Sequence, residues 1–383
     1  MQAKIVGVGV DTLKVNLKRL TEGGIPDPVQ ELPGDLESRL KEWQEEARNE
    51  GKPLPLPPEY SFEDARLSMY PNGASAWKYI MRNDCLEIKI GPRLQLPMIA
   101  SVTFQSPYLW GFGPVRAVQR ADTFLCQVFG QVAMQVAQID ACVDLVGLKL
   151  PTEWERVFIS HALRKRPIGE FQKDQAVYRG RKLETVNFSG HGCPVSCKVY
   201  NKSKEIKHSD KKWFELVWEK RSWEPGEEVW RVEFSLEREV LREMGLDDVY
   251  DTLRNVKRLW AYCTEEWLRM VRPGQTKNRT RWPTHPTWEK IQRAFDLYGD
   301  RALDQLGPLV REPRRVKNKE RAEAAIAGYM TTYAAWDQEM AEDIDPATIF
   351  ATVYDKVIER WNQRGIVPGE LIREKRFLYS EKA

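Results

Sequence analysis

Histidine is scarce in this chain: His161, His191, His208 and His285 are the four, and no two form a His-x-His pair. A metal centre built on such paired imidazoles is excluded, so any hard-metal chemistry must rest on carboxylate oxygens. Long apolar runs are missing as well. No stretch approaches the roughly 18 uninterrupted apolar residues of a membrane span. The N-terminus opens on an alternating strand pattern instead of a basic stretch followed by an apolar run, so a cytoplasmic protein with no membrane partner is the expectation. Charge of one sign is lacking too, since 59 basic residues face 56 acidic ones for a net +3. Affinity for nucleic acid would therefore come from local clusters. No Walker loop is present, and Gly7-Val8-Gly9 lacks the third glycine and following helix of a dinucleotide site. ATPase and hydride-transfer functions have no support. The six cysteines (Cys85, Cys126, Cys142, Cys193, Cys197 and Cys263) sit mainly in apolar patterns, as reduced core thiols do. Cys193 and Cys197, with His191 and His208 nearby, fit zinc-knuckle spacing poorly.

Tryptophan, in contrast, is abundant: 14 residues supply core mass and flat surfaces for stacking on bases. The 383-residue length allows two domains. Residues 5–17 alternate and are β-branched, the pattern of a first strand. Residues 21–60, rich in proline and glycine around a charged helical piece at 35–48, read as an exposed excursion. Short strands are expected at 77–81, 85–90 and 101–104. A helix opens at Pro114 and runs to about residue 135, followed by a strand at 138–146. A helix at 154–164 precedes strands at 176–178, 182–188, 195–200 and 229–236. Helices at 237–244, 247–271, 287–298, 319–340 and 346–363 surround a loop at 272–282. Asp11 between Val10 and Thr12 stands as Asp144 does between Val143 and Leu145, a faint internal repeat. The expected fold class is α+β: an antiparallel or mixed β-sheet of two weakly similar halves with helices on one face, over residues 1–236. A helical C-terminal region, 237–383, with a DNA-binding or accessory role, completes it.

The chemistry concentrates in residues 184–238. Lys198-Val199-Tyr200-Asn201-Lys202 and Trp230-Arg231-Val232-Glu233-Phe234 alternate at period two. That puts Lys198, Tyr200 and Lys202 on one sheet face, and Arg231 with Glu233 on one face of another strand. A strand tyrosine is most often a half-buried structural aromatic. A phenol with a pKa near 10 attacks phosphorus at neutral pH only with cationic neighbours, a base or a metal-ordered phosphate. Lys198, Lys202 and Lys204 offer the positive charge.

Together with Asn187-Phe188-Ser189-Gly190, these segments resemble the tyrosine-dependent rolling-circle replication initiators of plasmids, integrative elements and some phages. Their pattern reads roughly Thr-x-Tyr/Phe-x-Gly, then Arg-x-Tyr-x-Lys with a following Glu, then an Arg-x-Glu strand. The resemblance spans about residues 138–288 and implies that Tyr200 is the nucleophile, with Lys198 and Lys202 beside it. Asp140 and Asp144 match the family's Asp-x-x-x-Asp strand, and with Glu233 and Glu205 they are the expected ligands of Mg²⁺ or Mn²⁺. The ordinary reading of each carboxylate is a solvated strand-face charge or an ion pair with Arg231 or Lys202. Lys198 departs from the pattern: it replaces an arginine and makes no bidentate phosphate contact.

Two basic clusters beside tryptophan are the expected DNA contacts. One joins Arg272, Lys277, Arg279 and Arg281 to Trp282. The other runs from Lys202 through Lys204, Lys207, Lys211 and Lys212 to Trp213. Arg231 is counted with them. The ordinary reading of each cluster is a solvated basic face. The expected function is nicking of one strand at a hairpin or single-stranded origin through a phosphotyrosyl intermediate, with a host helicase and a homodimer as further partners. A DNA-binding or structural protein of a mobile element on the same scaffold, without cleavage, is the alternative.

Overall fold

The alternation that begins near residue 5 carries a longer strand than the pattern alone required, because β1 spans Lys4–Arg19. The computed structural model describes residues 3–74, 76–92, 96–151, 154–161, 176–179, 182–189, 193–209, 211–298, 303, 307–311, 319–337, 345–363, 367, 369 and 372. After β1 come α1 (Leu36–Glu50), β2 (Leu54–Pro55), β3 (Ser61–Phe62), β4 (Ala65–Arg66), β5 (Ser68–Met69), β6 (Trp77–Arg82), β7 (Leu86–Pro92) and β8 (Ala100–Phe104). Helices α2 (Ser106–Phe112) and α3 (Pro114–Phe129) lead into β9 (Val132–Val146). Next are α4 (Trp154–Val157), β10 (Phe158–Ser160), β11 (Ala176–Arg179), β12 (Lys182–Phe188) and β13 (Val195–Asn201). Then α5 (Lys202–His208) and α6 (Trp213–Glu219) precede β14 (Val229–Glu237). Helices α7 (Arg238–Glu243), α8 (Val249–Arg254) and α9 (Val256–Ala261), a π-helical turn Tyr262–Trp267, β15 (Leu268–Met270) and α10 (Pro286–Gln292) follow. Helices α11 (Lys319–Trp336) and α12 (Pro346–Gln363) come last.

Eleven strands form one sheet in the order β11-β12-β13-β14-β9-β1-β8-β7-β6-β5-β2. The fold is α+β with a large antiparallel sheet and a helical C-terminal region. Its centre is the long pair β1–β9, running from Lys4↔Val146 to Arg19↔Val132 with bulges on the way. One face carries the main core: Val143 and Leu145 of β9, Val195, Cys197 and Val199 of β13, and Val232 and Phe234 of β14 are buried there. Trp260 closes this core edge-on against Phe234 at 5.4 Å and stacked on Phe295 at 4.6 Å. The opposite face holds a smaller cluster, in which Val6, Val146 and Val229 meet Ile206, Phe214, Trp218 and Trp223 from α5, α6 and the turn after them.

Several elements differ from the sequence pattern. The helix expected to run to about residue 135 stops at Phe129, where Gly130 adopts a positive φ of 77°, and β9 starts at Val132, earlier than expected. The helix expected at 154–164 gives way after one turn to β10, which pairs antiparallel with β15. The same pairing ends the helix expected at 247–271, because Leu268 turns extended (φ −141°) to meet β10. Residues 162–164 and 338–340 of two expected helices lie outside the described residues, as do Gly190 and His191. Within residues 21–60, α1 buries Leu36, Leu40 and Ala47, so one helix face anchors this excursion to the core.

The chain divides into two compact units, Met1–Glu312 and Pro313–Ala383. Helices α7 to α10 belong to the first unit. The second contains α11 and α12, with Tyr329, Trp336, Phe350 and Tyr354 exposed on them. Among the described residues no helix is long and apolar enough to cross a membrane.

Ile139 is fully buried on β9 at the centre of the sheet. Ile139→Ala is expected to lower the unfolding free energy by about 2–5 kcal/mol, whereas Ile25→Ala, at a site 67% exposed, should change it by no more than about 0.5 kcal/mol. Denaturant titration of both variants checks the contrast.

Candidate active site on the central strands

Strand register builds the site as rows. Tyr200 pairs with Arg231, Arg231 with Asp144, and Asp144 with Gly7. The next row runs Lys198, Glu233, Cys142, Gly9. Because successive side chains alternate, both rows point to the face opposite the main core. The glycines end the rows for a steric reason. A Cβ on Gly7 would lie 2.9 Å from Asp144 Oδ2, and one on Gly9 would lie 3.2 Å from the Trp110 ring. Gly7-Val8-Gly9 thus makes room for a carboxylate and an indole. Between Val10↔Ala141 and Thr12↔Asp140 the register slips by one residue, and the extra residue is Asp11. Such a bulge re-aims a side chain, and here Asp11 reaches the same guanidinium as Asp144.

That guanidinium belongs to Arg231, whose side chain is fully buried. Its Nε and Nη2 donate to Asp144 Oδ1 and Oδ2 at 2.6 and 2.8 Å, and its Nη1 donates to Asp11 Oδ1 at 2.8 Å. Glu233 Oε2 lies 3.7 Å from Nη1. The carboxylates are held in turn. Trp218 Nε1 donates to Asp144 Oδ2 at 2.8 Å, while Trp110 Nε1 and Ser106 Oγ each donate to Asp11 Oδ1 at 2.9 Å. The Phe214 and Trp110 rings lie 4.6 and 5.5 Å from the guanidinium carbon. Burial alone would raise the Asp11 pKa, but Arg231, then Lys202 and Lys211, outweigh it and hold the carboxyl below the usual range. Burial works against the charged guanidinium as well, and Asp144 leads the groups that keep it protonated.

Tyr200 is half-buried, and its hydroxyl donates to Glu233 Oε2 at 3.1 Å. Burial, reinforced by the charge of Asp11 and opposed by Arg231, pushes the Glu233 carboxyl up to about 7. Burial and then Glu233 push the phenol well above its ordinary value. A phenol so reluctant to ionise needs a base within hydrogen-bond reach, and a carboxylate titrating near neutrality is well matched to that task.

Lys202 lies beyond the end of the Tyr200 strand, yet its ammonium reaches the same face. β13 ends at Asn201, whose side chain accepts from the Lys204 backbone N–H and caps α5, so Lys202 becomes the first residue of that helix. Its ammonium is buried and paired with Glu205 Oε2 at 2.6 Å, 4.5 Å from the Phe214 ring centroid and 5.6 Å from that of Tyr200. Lys198 remains exposed on β13. Lys204 pairs with Glu184, and Lys207 is exposed on α5. Arg231, expected among the DNA contacts, is instead enclosed by carboxylates and rings. In the 272–282 loop, Arg279 Nη2 donates to the carbonyls of Glu155, Arg156 and Phe158 at 2.7, 2.9 and 2.8 Å. Trp282 donates from Nε1 to the Thr276 carbonyl at 2.7 Å and packs over Gly274. These two residues hold the loop together, and Arg272, Lys277 and Arg281 are its exposed charges.

The four carboxylates expected as metal ligands have other partners in this arrangement. Asp144 binds Arg231, Glu205 binds Lys202, Asp140 accepts from Gln138 Nε2 at 3.0 Å, and Glu233 accepts from Tyr200. Among the described residues no group of three or more His, Cys, Asp or Glu side chains is placed to hold a metal ion. A divalent cation bound at Asp144 and Asp11 would have to displace Arg231. Sequence reasoning noticed Asp11 only through its likeness to Asp144 and missed Ser106, Trp110, Phe214 and Trp218. The i, i+4 spacing of Phe214 and Trp218 marks one helix face, but nothing in the sequence points that face at Arg231.

No protein-family model matches the chain, and no curated protein matches it. Among solved structures it is similar to that of a rolling circle replication initiator protein from Geobacillus stearothermophilus, at 16% identity and a TM-score of 0.42, over 81% of this chain and 100% of the other.

Removing one partner of the buried pair leaves an uncompensated charge, so Asp144→Ala is expected to destabilise the chain by about 3–5 kcal/mol. Glu233 has the opposite sense. Its folded pKa of about 7 exceeds the ordinary 4.5, so the folded state holds a proton that the unfolded chain has released, and stability falls as pH rises through that window. Glu233→Gln should flatten this decline in denaturant titrations between pH 4.5 and pH 7.

Proposed function

We propose that this chain nicks DNA through Tyr200, as a rolling-circle replication initiator or a related relaxase. The observation that carries the reading is the 3.1 Å hydrogen bond from the Tyr200 hydroxyl to Glu233, a carboxyl whose pKa is pushed up to about 7. Glu233 takes the phenolic proton as the tyrosine oxygen attacks phosphorus. The new O–P bond forms as the P–O3′ bond breaks, and the 3′ oxygen leaves with the electron pair and picks up a proton. The products are a 5′-phosphotyrosyl bond and a free 3′-hydroxyl. Exposed Lys198, one row from Tyr200, brings positive charge to the scissile phosphate. Lys207, Arg272, Lys277 and Arg281 are exposed cations for the phosphate backbone. A tyrosine rising from a sheet face reaches phosphate in an extruded or single-stranded site better than in an undistorted duplex, so the substrate is an origin hairpin or single strand.

The test incubates the protein with supercoiled origin DNA and follows relaxed circles carrying covalently attached protein. Tyr200→Phe should abolish the adduct with DNA binding retained, since the ring still packs and one hydroxyl is removed. Glu233→Gln should slow cleavage by about 10²- to 10⁴-fold, and the wild-type rate should rise with pH through about 7. Parallel reactions with Mg²⁺, Mn²⁺ and EDTA measure any cation requirement. Undiminished nicking by the Phe variant would place the nucleophile elsewhere. Origin binding without any adduct would leave a DNA-binding protein on this scaffold.

A further inference from the structure

We infer that Trp213 is the platform on which an unpaired base of the bound strand stacks; the inference rests on the nicking site proposed above for its place along the strand. Trp213 opens α6 directly after Lys211 and Lys212. Its ring stacks on Phe214 with centroids 3.9 Å apart and planes 24° apart. Phe214 in turn lies 4.5 Å from Lys202 Nζ and 4.6 Å from the Arg231 guanidinium carbon. Lys202 Nζ is itself 5.6 Å from the Tyr200 ring centroid. A short relay of rings and one ammonium therefore links Trp213 to the Tyr200 ring.

The other tryptophans of this region are committed. Trp110, Trp218 and Trp223 donate their indole N–H groups to Asp11, Asp144 and the Glu227 carbonyl. Trp282, in the other basic cluster, is tied to Thr276 and packed on Gly274. Trp213 makes no such hydrogen bond among the described residues, is only half-buried, and has exposed Leu216 and Lys212 near it in sequence. Phe214 occupies one face of the indole. The combination of a pre-stacked ring and adjacent lysines suits a base and its phosphate, and the preference is sequence-tolerant because every base offers a π-face.

The probe is a short labelled oligothymidylate, titrated by fluorescence anisotropy against the full chain and against Trp213→Ala, Trp213→Phe and Trp213→Leu. Trp213→Ala and Trp213→Leu should weaken binding about tenfold, and Trp213→Phe by no more than about threefold. The Leu variant keeps apolar bulk without a π-face, so it reads stacking even where the Ala variant fails to fold. An abasic oligomer of equal length should bind all folded variants alike, and the salt dependence should be unchanged because no phosphate contact is removed. Wild-type affinity of Trp213→Leu for the oligothymidylate, or an equal loss on the abasic oligomer, overturns the inference. Adduct formation with binding indifferent to Trp213 removes the stacking role alone, whereas Trp213-dependent binding without any adduct removes the nicking reading alone.

Discussion

The buried guanidinium of Arg231 is the constraint around which the site is organised. A charge with no solvent access is tolerated only when it is paired and its donors are satisfied. Asp144 satisfies two donors from the neighbouring strand and Asp11 a third. Meeting both carboxylates requires two departures from regular sheet: glycine at position 7, so that Asp144 has room, and a bulge in β1, so that Asp11 turns toward the arginine. Indoles from α2 and α6 complete the shell, which explains why these helices sit over this part of the sheet.

The same arrangement sets the surroundings of the Tyr200 hydroxyl. Arg231 is shared among carboxylates, and its closest contacts are with Asp144 and Asp11. Glu233, at 3.7 Å, receives less of its charge and feels Asp11 as a like charge. Burial pushes both carboxyls up, and unequal sharing of one cation then separates them: Arg231 holds Asp11 below the usual range, while Glu233 takes up a proton near neutrality. The group that gains and loses its proton near neutrality is the one that touches the phenol. A cation moved closer to Glu233 would make it a weaker base.

Much of this site was legible at period two. Alternation placed Tyr200 with Lys198, and Arg231 with Glu233, on strand faces, and antiparallel register then aligned Tyr200, Arg231 and Asp144 in one row. What escaped the pattern did so for local reasons. Lys202 follows the alternation in sequence, but Asn201 caps a helix there and turns the lysine into the interior. Asp11 lies at a register slip, where period two fails by construction. The pairs of Asp144 with Arg231 and of Glu205 with Lys202 are the ion pairs that the sequence offers beside metal binding, and it is strand register that decides which arginine meets Asp144. Trp282 and Arg279 looked like a DNA-binding pair in sequence, yet their hydrogen bonds go to backbone carbonyls of the loop and of the 155–158 segment.

The two faces of the sheet are held by different physics, and this bears on how the site can change. The main core face is dominated by aliphatic and aromatic burial, which tolerates volume-conserving substitution. The site face has a small apolar cluster beside the ion network and the rings that cover it. A polar network of this kind is stabilising only when every member is satisfied, so substitutions there are felt cooperatively. Tyr200 and Lys198 stand at the margin of the network, half-buried and exposed respectively. Lys198 can change without stranding a buried charge, whereas a change at Tyr200 removes the donor to Glu233, and Arg231 with its carboxylates keeps the strands in register in both cases.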